Sequence, residues 1–230
     1  MPNWTTNKMV MHDDDVNLIT DAHGDVDFNR LRPMPKSLDI GNVCFEANEF
    51  AMAVSRGEAT SMSQAPYDFL RQRLSYHNGE TGEDVDIDHP SLSDYKRFGD
   101  LLCLNVGRYG HADWYSWCAS DDGWGTKWNA CHTTYKDYDG EGRVVVEFLS
   151  AWSCPAPIIK LLRKRATNPI RFECIDEDGY GNVHDEDYKD IEVSKSLFVP
   201  EYYDEEGCQI EEDEYEVLKA EGKGGWVLLV

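Results

Sequence analysis

The sequence lacks the motifs and segments that most often reveal an activity or a location. It contains no Cys-x-x-Cys pair, no zinc-protease or serine-hydrolase signature and no phosphate-binding loop. No apolar run approaches the length that spans a bilayer, and the first ten residues, MPNWTTNKMV, hold no apolar leader segment. We therefore expect a cytoplasmic protein that has no membrane partner.

Paired and metal-binding cysteines are also missing. The seven cysteines are odd in number and widely spaced, which indicates reduced thiols packed as small apolar residues. The alternative is a metal site formed by Cys118, Cys131 and His132, with His111 as a fourth ligand. Structural zinc usually has two closely spaced ligand pairs, and here only Cys131 and His132 are adjacent. We expect no metal and no cofactor.

Signals for catalysis are weak. The seven histidines are dispersed, and 44 Asp and Glu residues make any single carboxylate pair uninformative. A basic excess is absent as well, because the formal net charge is −22, which opposes direct binding to a nucleic-acid backbone. The sequence therefore favours a protein that is not an enzyme, indicates no catalytic residue and predicts no direct nucleic-acid contact.

The clearest secondary-structure signal is a strand–helix–strand unit. Residues 143–149 are β-branched and apolar, Ser153 can cap a helix, and an apolar face follows over residues 158–166. Residues 170–175 supply a second strand. A unit of this size normally makes a right-handed crossover, so we expect both strands in one sheet.

Two helices are predicted earlier in the chain. A weak apolar stripe indicates one over residues 64–74, and the polar stretch at residues 77–90 is typical of an exposed loop. Ser91 and Asp94 have the spacing of a capping box, and apolar residues recur at helical spacing behind them. The second helix is therefore expected at residues 92–107.

Four short motifs resemble a known family. They are the opening MPNW, the loop DFNRLRPMP, the segment WGTKWNA and the run EFLSAWSCPAPIIKLL. Together and in this order they are similar to the YubB-like family, which is found mostly in phages, plasmids and genomic islands. The resemblance implies an α+β protein of a bacterial host cell, with a ferredoxin-like split β-α-β-β-α-β core. It also implies a domain at residues 1–175 with a helical insertion at about 40–112.

The segment from residue 113 to residue 132 concentrates aromatic side chains. Four of the seven tryptophans fall within fifteen positions, and Trp114 and Trp117 are expected on one helical turn. We interpret residues 124–135 as the second core strand, whose alternating side chains form a buried aromatic layer. The alternative is a polar-aromatic binding pocket. Its candidate residues are Trp124, Lys127, Trp128, Asn129 and Trp152.

The C-terminal third is the most unusual part of the sequence. Residues 173–221 hold nineteen acidic residues against three lysines and carry a net charge of −16. Interleaved apolar residues can dock this stretch on the core, and the closing GGWVLLV predicts a strand at residues 226–230. We therefore expect an ordered acidic extension over residues 176–230, packed on the core.

This acidity motivates the functional prediction. We expect a non-enzymatic mobile-element protein whose acidic face mimics nucleic acid and inhibits a host protein with a basic nucleic-acid-binding surface. Tyr202, Tyr203 and Tyr215 are candidate anchors. Two alternatives stay open: a small-ligand or nucleotide-processing enzyme that uses residues 124–128, and an acidic domain without a mimicry role. The candidate contact residues of the acidic face are Glu205, Glu206, Glu211, Glu212, Asp213 and Glu214.

Overall fold

The computed structural model of the chain contains both helices and strands, in agreement with the predicted α+β class. It describes residues 3–41, 43–176, 181–183, 200–204, 209–220 and 225–229. The chain divides into two compact units. The first unit comprises Met1–Asp27, Ala130–Cys154 and Ile159–Val230, and the second comprises Phe28–Asn129 and Pro155–Ile158. The domain boundaries expected near residues 40, 112 and 176 stay predictions.

The described residues include ten strands and six α-helices. The strands are β1 (Trp4–His12), β2 (Arg73–Asn78), β3 (Glu83–Asp88), β4 (Cys131–Asp137), β5 (Arg143–Ala151), β6 (Arg171–Asp176), β7 (Gly181–Val183), β8 (Pro200–Asp204), β9 (Gln209–Ile210) and β10 (Gly225–Leu229). The helices are α1 (Asp13–Val16), α2 (Phe45–Ser55), α3 (Leu92–Tyr109), α4 (Trp114–Cys118), α5 (Ala156–Arg165) and α6 (Glu212–Ala220). Within the described ranges, no helix combines the length and the apolar character needed to cross a membrane.

The first unit is built on a five-stranded sheet in the order β4-β5-β1-β6-β7, in which every neighbouring pair is antiparallel. Strands β5 and β6 both run antiparallel to β1, so they are parallel to each other and α5 connects them. The predicted placement of both strands in one sheet is confirmed. The strand predicted at residues 124–135 is wrong in its first half, because β4 begins at Cys131.

One face of this sheet forms an apolar core. Alternation along β1 places Met9 and Met11 on the same face, and the register adds Phe148 of β5 and Phe172 of β6. All four side chains are completely buried, as is Leu162 of α5. Burial of each large apolar side chain contributes about 1.5–3 kcal/mol, so this face accounts for much of the unit's stability.

A single carboxylate fixes the connection that follows β1. Helix α1 begins after His12, whose ring nitrogen accepts the backbone N–H of Asp14. Asp15 is buried and accepts the backbone N–H groups of Thr167, at 3.0 Å, and of Asn168, at 2.9 Å. The side-chain amide of Asn168 donates a third bond at 3.0 Å. These bonds tie α1 to the segment between α5 and β6.

The second unit is organised by the contact between α2 and α3. Gly99 of α3 permits a close approach, because a Cβ atom there would lie 2.0 Å from the carbonyl oxygen of Ala51 in α2. The capping box of Ser91 and Asp94 at the start of α3 is present as predicted. The helix extends to Tyr109, two residues beyond the predicted end.

Two predictions for the second unit are wrong. Residues 64–74 do not form an α-helix: two short 3-10 turns, Met62–Gln64 and Asp68–Arg71, precede β2. The predicted exposed loop at residues 77–90 contains strand β3, which pairs antiparallel with β2. The physical reason is that alternate side chains of the hairpin enter the core of the unit. These buried side chains are Leu74, Tyr76 and Val85.

The C-terminal stretch contains a second sheet, in the order β10-β8-β9. Strand β10 pairs antiparallel with β8, with Trp226 opposite Tyr203. The predicted terminal strand is therefore confirmed for its described residues. Helix α6 follows β9, and its Tyr215 ring lies 5.1 Å from the ring of Tyr202 on β8. This aromatic contact joins the helix to the sheet.

Candidate functional site

The tryptophan segment consists of helix α4 and the loop after it. Asp113 caps α4, since its side chain accepts the backbone N–H of Ser116 at 2.9 Å. The same carboxylate accepts a hydrogen bond of 3.0 Å from the buried side-chain amide of Asn48 on α2. Trp114 and Trp117 lie in α4, as predicted. The loop from residue 119 to residue 130 consists of turns and bends, so its side chains do not alternate between two faces as those of a strand would.

Trp124 is a core residue of the second unit. Its side chain is 5% exposed, and its indole N–H donates to the carbonyl oxygen of Arg32 at 2.9 Å. Its ring makes edge contacts with Phe28, at 5.9 Å between centroids, and with Trp117, at 5.7 Å. The apolar ring is therefore packed against other rings inside the protein, and its one polar group has a hydrogen-bond partner.

The loop around Trp124 is held by one arginine and two glycines. The Arg32 guanidinium donates to the carbonyl oxygens of Asp121 and Gly123, at 2.7 Å each. A Cβ atom on Gly123 would lie 1.9 Å from the carbonyl oxygen of Trp117. Gly125 has a φ of +75°, a conformation that residues with a side chain rarely adopt. The two glycines therefore permit a close backbone approach at one position and a left-handed backbone at the other.

Lys127 and Trp128 form the exposed part of the segment. The Lys127 Nζ lies 4.9 Å from the centroid of the Tyr115 ring and 4.8 Å from that of the Trp128 ring. Tyr115 also makes an edge contact with Phe45, at 5.6 Å. Trp128 and Phe45 are 36% and 55% exposed. The result is a surface strip in which one cation is held between two aromatic rings.

The remaining two residues of the predicted pocket have other partners. The side-chain oxygen of Asn129 accepts the backbone N–H of Phe28 at 2.8 Å, so this amide stabilises the chain within the second unit. Trp152 belongs to the first unit, where its backbone N–H donates to Asn3 at 2.8 Å. Its φ is +73° and its side chain is half exposed. The structure thus brings together Lys127 and Trp128, and the five-residue pocket stays a prediction.

The acidic face lies partly outside the described residues. Glu205 and Glu206 are not described, and the three acids at the start of α6 are described for their backbone only. Glu211, immediately before α6, is exposed. Within the helix, Glu216 is exposed and pairs with Lys219 at 3.6 Å. The predicted anchor Tyr215 packs against Tyr202, so both rings contribute to internal packing. The three backbone-only acids are Glu212, Asp213 and Glu214.

Among the described residues, one group of side chains has the spacing of metal ligands, and it includes none of the predicted ligands Cys118, Cys131, His132 and His111. That group is His12, Asp13 and Asp14, whose ligand atoms lie within 4.8 Å of one another. The ring of His12 already serves as the cap of α1, which explains the arrangement without an ion. Burial, followed by the nearby Asp113 carboxylate, raises the pKa of the Cys118 thiol to about 12. This buried thiol is packed in the core as a small apolar side chain.

A row of charged side chains across the first sheet was not expected from the sequence. Lys8 on β1 stands opposite Glu147 on β5 and Glu173 on β6, so the three share one face. The Lys8 Nζ lies 3.6 Å from a Glu147 oxygen, and Arg171 forms an ion pair with Glu173. Arg171 and Glu173 are both buried. The sequence RFECID, in which charged and apolar residues alternate at the start, could have indicated a charged face on this strand.

The paired charges of this row favour a structural role. Each cation of the row lies beside a carboxylate, which compensates for the loss of water around buried charges. Such pairs specify the register of a sheet, because a slip of one residue would leave a charge in the apolar core.

Comparison of the chain with protein-family models, with curated proteins and with solved structures found no match.

Proposed function

We propose that this chain is a non-enzymatic protein of a mobile genetic element that occupies the nucleic-acid-binding surface of a host protein. The observation that carries the proposal is the concentration of charge: residues 173–221 hold −16 of the net charge of −22. A groove lined with Lys and Arg attracts fixed carboxylates for the same electrostatic reason that it attracts phosphates. The proposed contact region is residues 204–216.

The regular structure at the described part of this region supports the proposal. Part of the acidic region belongs to helix α6, and the Tyr202–Tyr215 contact holds that helix against β8. Carboxylates carried by a regular element lose less conformational freedom on binding than carboxylates of a disordered tail. The helix also favours acids in its first turn, because they complement the positive end of its dipole. Such a helix can concentrate negative charge at modest cost in stability.

We further infer a ferredoxin-like core and membership of the YubB-like family. The strand order β4-β5-β1-β6 supports this inference, since in a split β-α-β-β-α-β core the first strand lies between the third and the fourth. The second core strand would then be β4 at the edge. In this scheme the first connection is residues 13–130, and the acidic extension follows β6. The family in turn supports the mobile-element origin.

Charge-neutralising variants test the mimic proposal. The test variant changes six acids of the proposed contact region to their amides, which removes six charges and keeps side-chain size. A control variant changes six exposed acids of the second unit in the same way. The test set is Glu205, Glu206, Glu211, Glu212, Asp213 and Glu214. The control set is Glu49, Glu58, Glu83, Asp88, Asp121 and Asp122.

The two variants have the same net charge. A difference between them therefore reports the effect of the acids at residues 205–214 and not of the overall acidity of the chain. We expect the parent chain and the control variant to displace labelled duplex DNA from a basic host protein captured from bacterial lysate. The test variant should fail to do so. Displacement should weaken steeply as salt increases, since the Debye length falls to about 8 Å at physiological ionic strength. Equal displacement by the test and control variants would contradict the proposal.

A second candidate function rests on the aromatic strip of the second unit. Lys127, held between Tyr115 and Trp128, offers a cation beside exposed ring surface. This combination suits a small ligand that is both anionic and aromatic, such as a nucleotide. Titration with nucleotides while tryptophan fluorescence is recorded tests this candidate. Saturable binding that is lost in Trp128→Ala would favour it, and an unchanged spectrum would exclude this class of ligand.

A further inference from the structure

Two cysteines of the first unit lie side by side at the end of its sheet. Cys174 on β6 stands opposite Asn7 on β1, and the Asn7 amide donates to the Ser150 hydroxyl at 2.9 Å. That hydroxyl donates to the carbonyl oxygen of Ser153 at 2.8 Å. These bonds hold the chain after β5 against β1, the strand that pairs with β6. The next side chain, Cys154, is hydrogen-bonded to that of Cys174.

We propose that Cys154 and Cys174 form an oxidation site, at which hydrogen peroxide converts the two thiols into a reversible disulfide. Cys154 is half-buried and Cys174 is 2% exposed, so Cys154 meets the oxidant first. Neighbouring strands of an antiparallel pair place their Cα atoms about 4.5–5.5 Å apart, and Cys174 is therefore held close to the Asn7–Ser150 network that positions Cys154. Adjacent thiols on fixed backbone need little movement to join.

The chemistry balances with one equivalent of peroxide. The Cys154 sulfur attacks one peroxide oxygen, the O–O bond breaks, and a sulfenic acid and one water are formed. The Cys174 sulfur then attacks the sulfenic sulfur, the S–O bond breaks, and a second water leaves as the S–S bond forms. The two thiols together lose two electrons and two protons, and the peroxide is reduced to two waters. A dithiol reductant reverses the reaction by thiol–disulfide exchange.

The surroundings of Cys154 set the rate of this reaction. Its hydrogen bond to Cys174 and its burial both raise the pKa of the Cys154 thiol, while the nearby Arg163 guanidinium lowers it. The thiolate is the reactive form, so the first step is slow at neutral pH. The site is therefore one that responds to sustained oxidation and not to a brief pulse.

The bond would link the segment after β5 to β6. The loop that it closes contains the whole of α5. A crosslink of this kind restricts the unfolded chain and stabilises the folded one. Oxidation should therefore raise the resistance of the first unit to heat.

Disulfide mapping of the full chain tests the site directly. The folded protein is treated with hydrogen peroxide, its remaining thiols are alkylated, and it is digested with trypsin without reduction. Lys160 and Arg171 lie between the two cysteines, so these fall on separate tryptic peptides. We expect one crosslinked species that joins them, its disappearance with dithiothreitol, and a rise of several degrees in the thermal midpoint on oxidation.

Serine variants provide the controls. Cys154→Ser should lose both the crosslinked peptide and the rise in thermal midpoint. Cys131→Ser removes a half-buried thiol that faces the carbonyl oxygen of Leu149, and it should keep both. The proposal is overturned if the parent chain yields Cys154 as a sulfinic acid with Cys174 still alkylated. It is equally overturned if Cys154 is joined to any other cysteine, or if both thiols survive prolonged treatment with excess hydrogen peroxide.

Discussion

Replacement of Asp15 by asparagine should destabilise the first unit through a single buried group. The Asp15 carboxylate accepts the backbone N–H groups of Thr167 and Asn168 and the side-chain amide of Asn168. An asparagine has the same size but has only one accepting oxygen, and its NH₂ group would face a donor. Hydrogen bonds to a charged group contribute about 1.5–3 kcal/mol each. Because Thr167 is exposed, water can replace part of the loss, and we expect a net cost of about 2 kcal/mol.

The cost should depend on pH in a defined direction. Burial raises the pKa of Asp15, but the hydrogen bonds from Thr167 and Asn168, with the nearby His12, outweigh it and bring the pKa below its ordinary value of 3.8. A carboxyl group whose folded pKa is depressed stabilises the fold above its unfolded pKa, and this contribution disappears as the pH falls through the folded pKa. The difference between parent and Asp15→Asn should therefore be constant above about pH 5 and shrink below about pH 4.

Urea denaturation and amide hydrogen exchange measure this effect. Asp15→Asn should lower the free energy of unfolding and speed exchange of the Asn168 amide. Asp14→Asn is the matched control, because Asp14 is exposed in the same turn and should change the free energy by less than about 0.5 kcal/mol. Equal stability of the Asp15 and Asp14 variants at pH 7 would refute the claim that the Asp15 carboxylate stabilises this connection.

Two further predictions concern the second unit. Gly99→Ala should cost about 2–3 kcal/mol, because the new Cβ would lie 2.0 Å from a backbone oxygen of α2. Gly107→Ala on the same helix meets no atom within 4 Å and should be neutral or stabilising, so equal unfolding midpoints of the two variants would contradict the close approach. Trp124→Ala should cost about 3–5 kcal/mol, against about 1 kcal/mol for Trp128→Ala, as measured by thermal unfolding. A larger loss for Trp128→Ala would show that the wrong indole has been assigned to the core.

Local signals predicted the elements whose boundaries they mark. The strand–helix–strand unit around α5 was predictable because β-branched runs flank a capped apolar helix, and α3 because its capping box precedes a regular apolar stripe. Helix α2 was not predicted, since its buried face includes the polar Asn48 and small alanines while Phe45 lies in solvent, so FEANEFAMAVS has no clear apolar stripe. The β2–β3 hairpin has the composition of an exposed loop, because only Val85 and Ile87 alternate with the acids Asp84, Asp86 and Asp88.

The candidate sites were harder to predict because they depend on distant parts of the chain. The tryptophan segment alternates in sequence like a strand, yet Arg32 binds its carbonyl oxygens and holds it as a loop. The charged row of Lys8, Glu147 and Glu173 exists only in the observed strand register. The contact between Cys154 and Cys174 likewise depends on the pairing of β1 with both β5 and β6. None of these partners is close in sequence.

Displacement of labelled duplex DNA from a captured basic host protein tests the central claim most directly. The parent chain, the six-amide variant at residues 205–214 and the six-amide control of the second unit are titrated at low and physiological salt. The account predicts that the parent and the control displace the DNA, that the 205–214 variant does not, and that added salt weakens displacement steeply. Equal displacement by the 205–214 variant and the parent, or failure of the parent to displace DNA from any basic host protein, would contradict it.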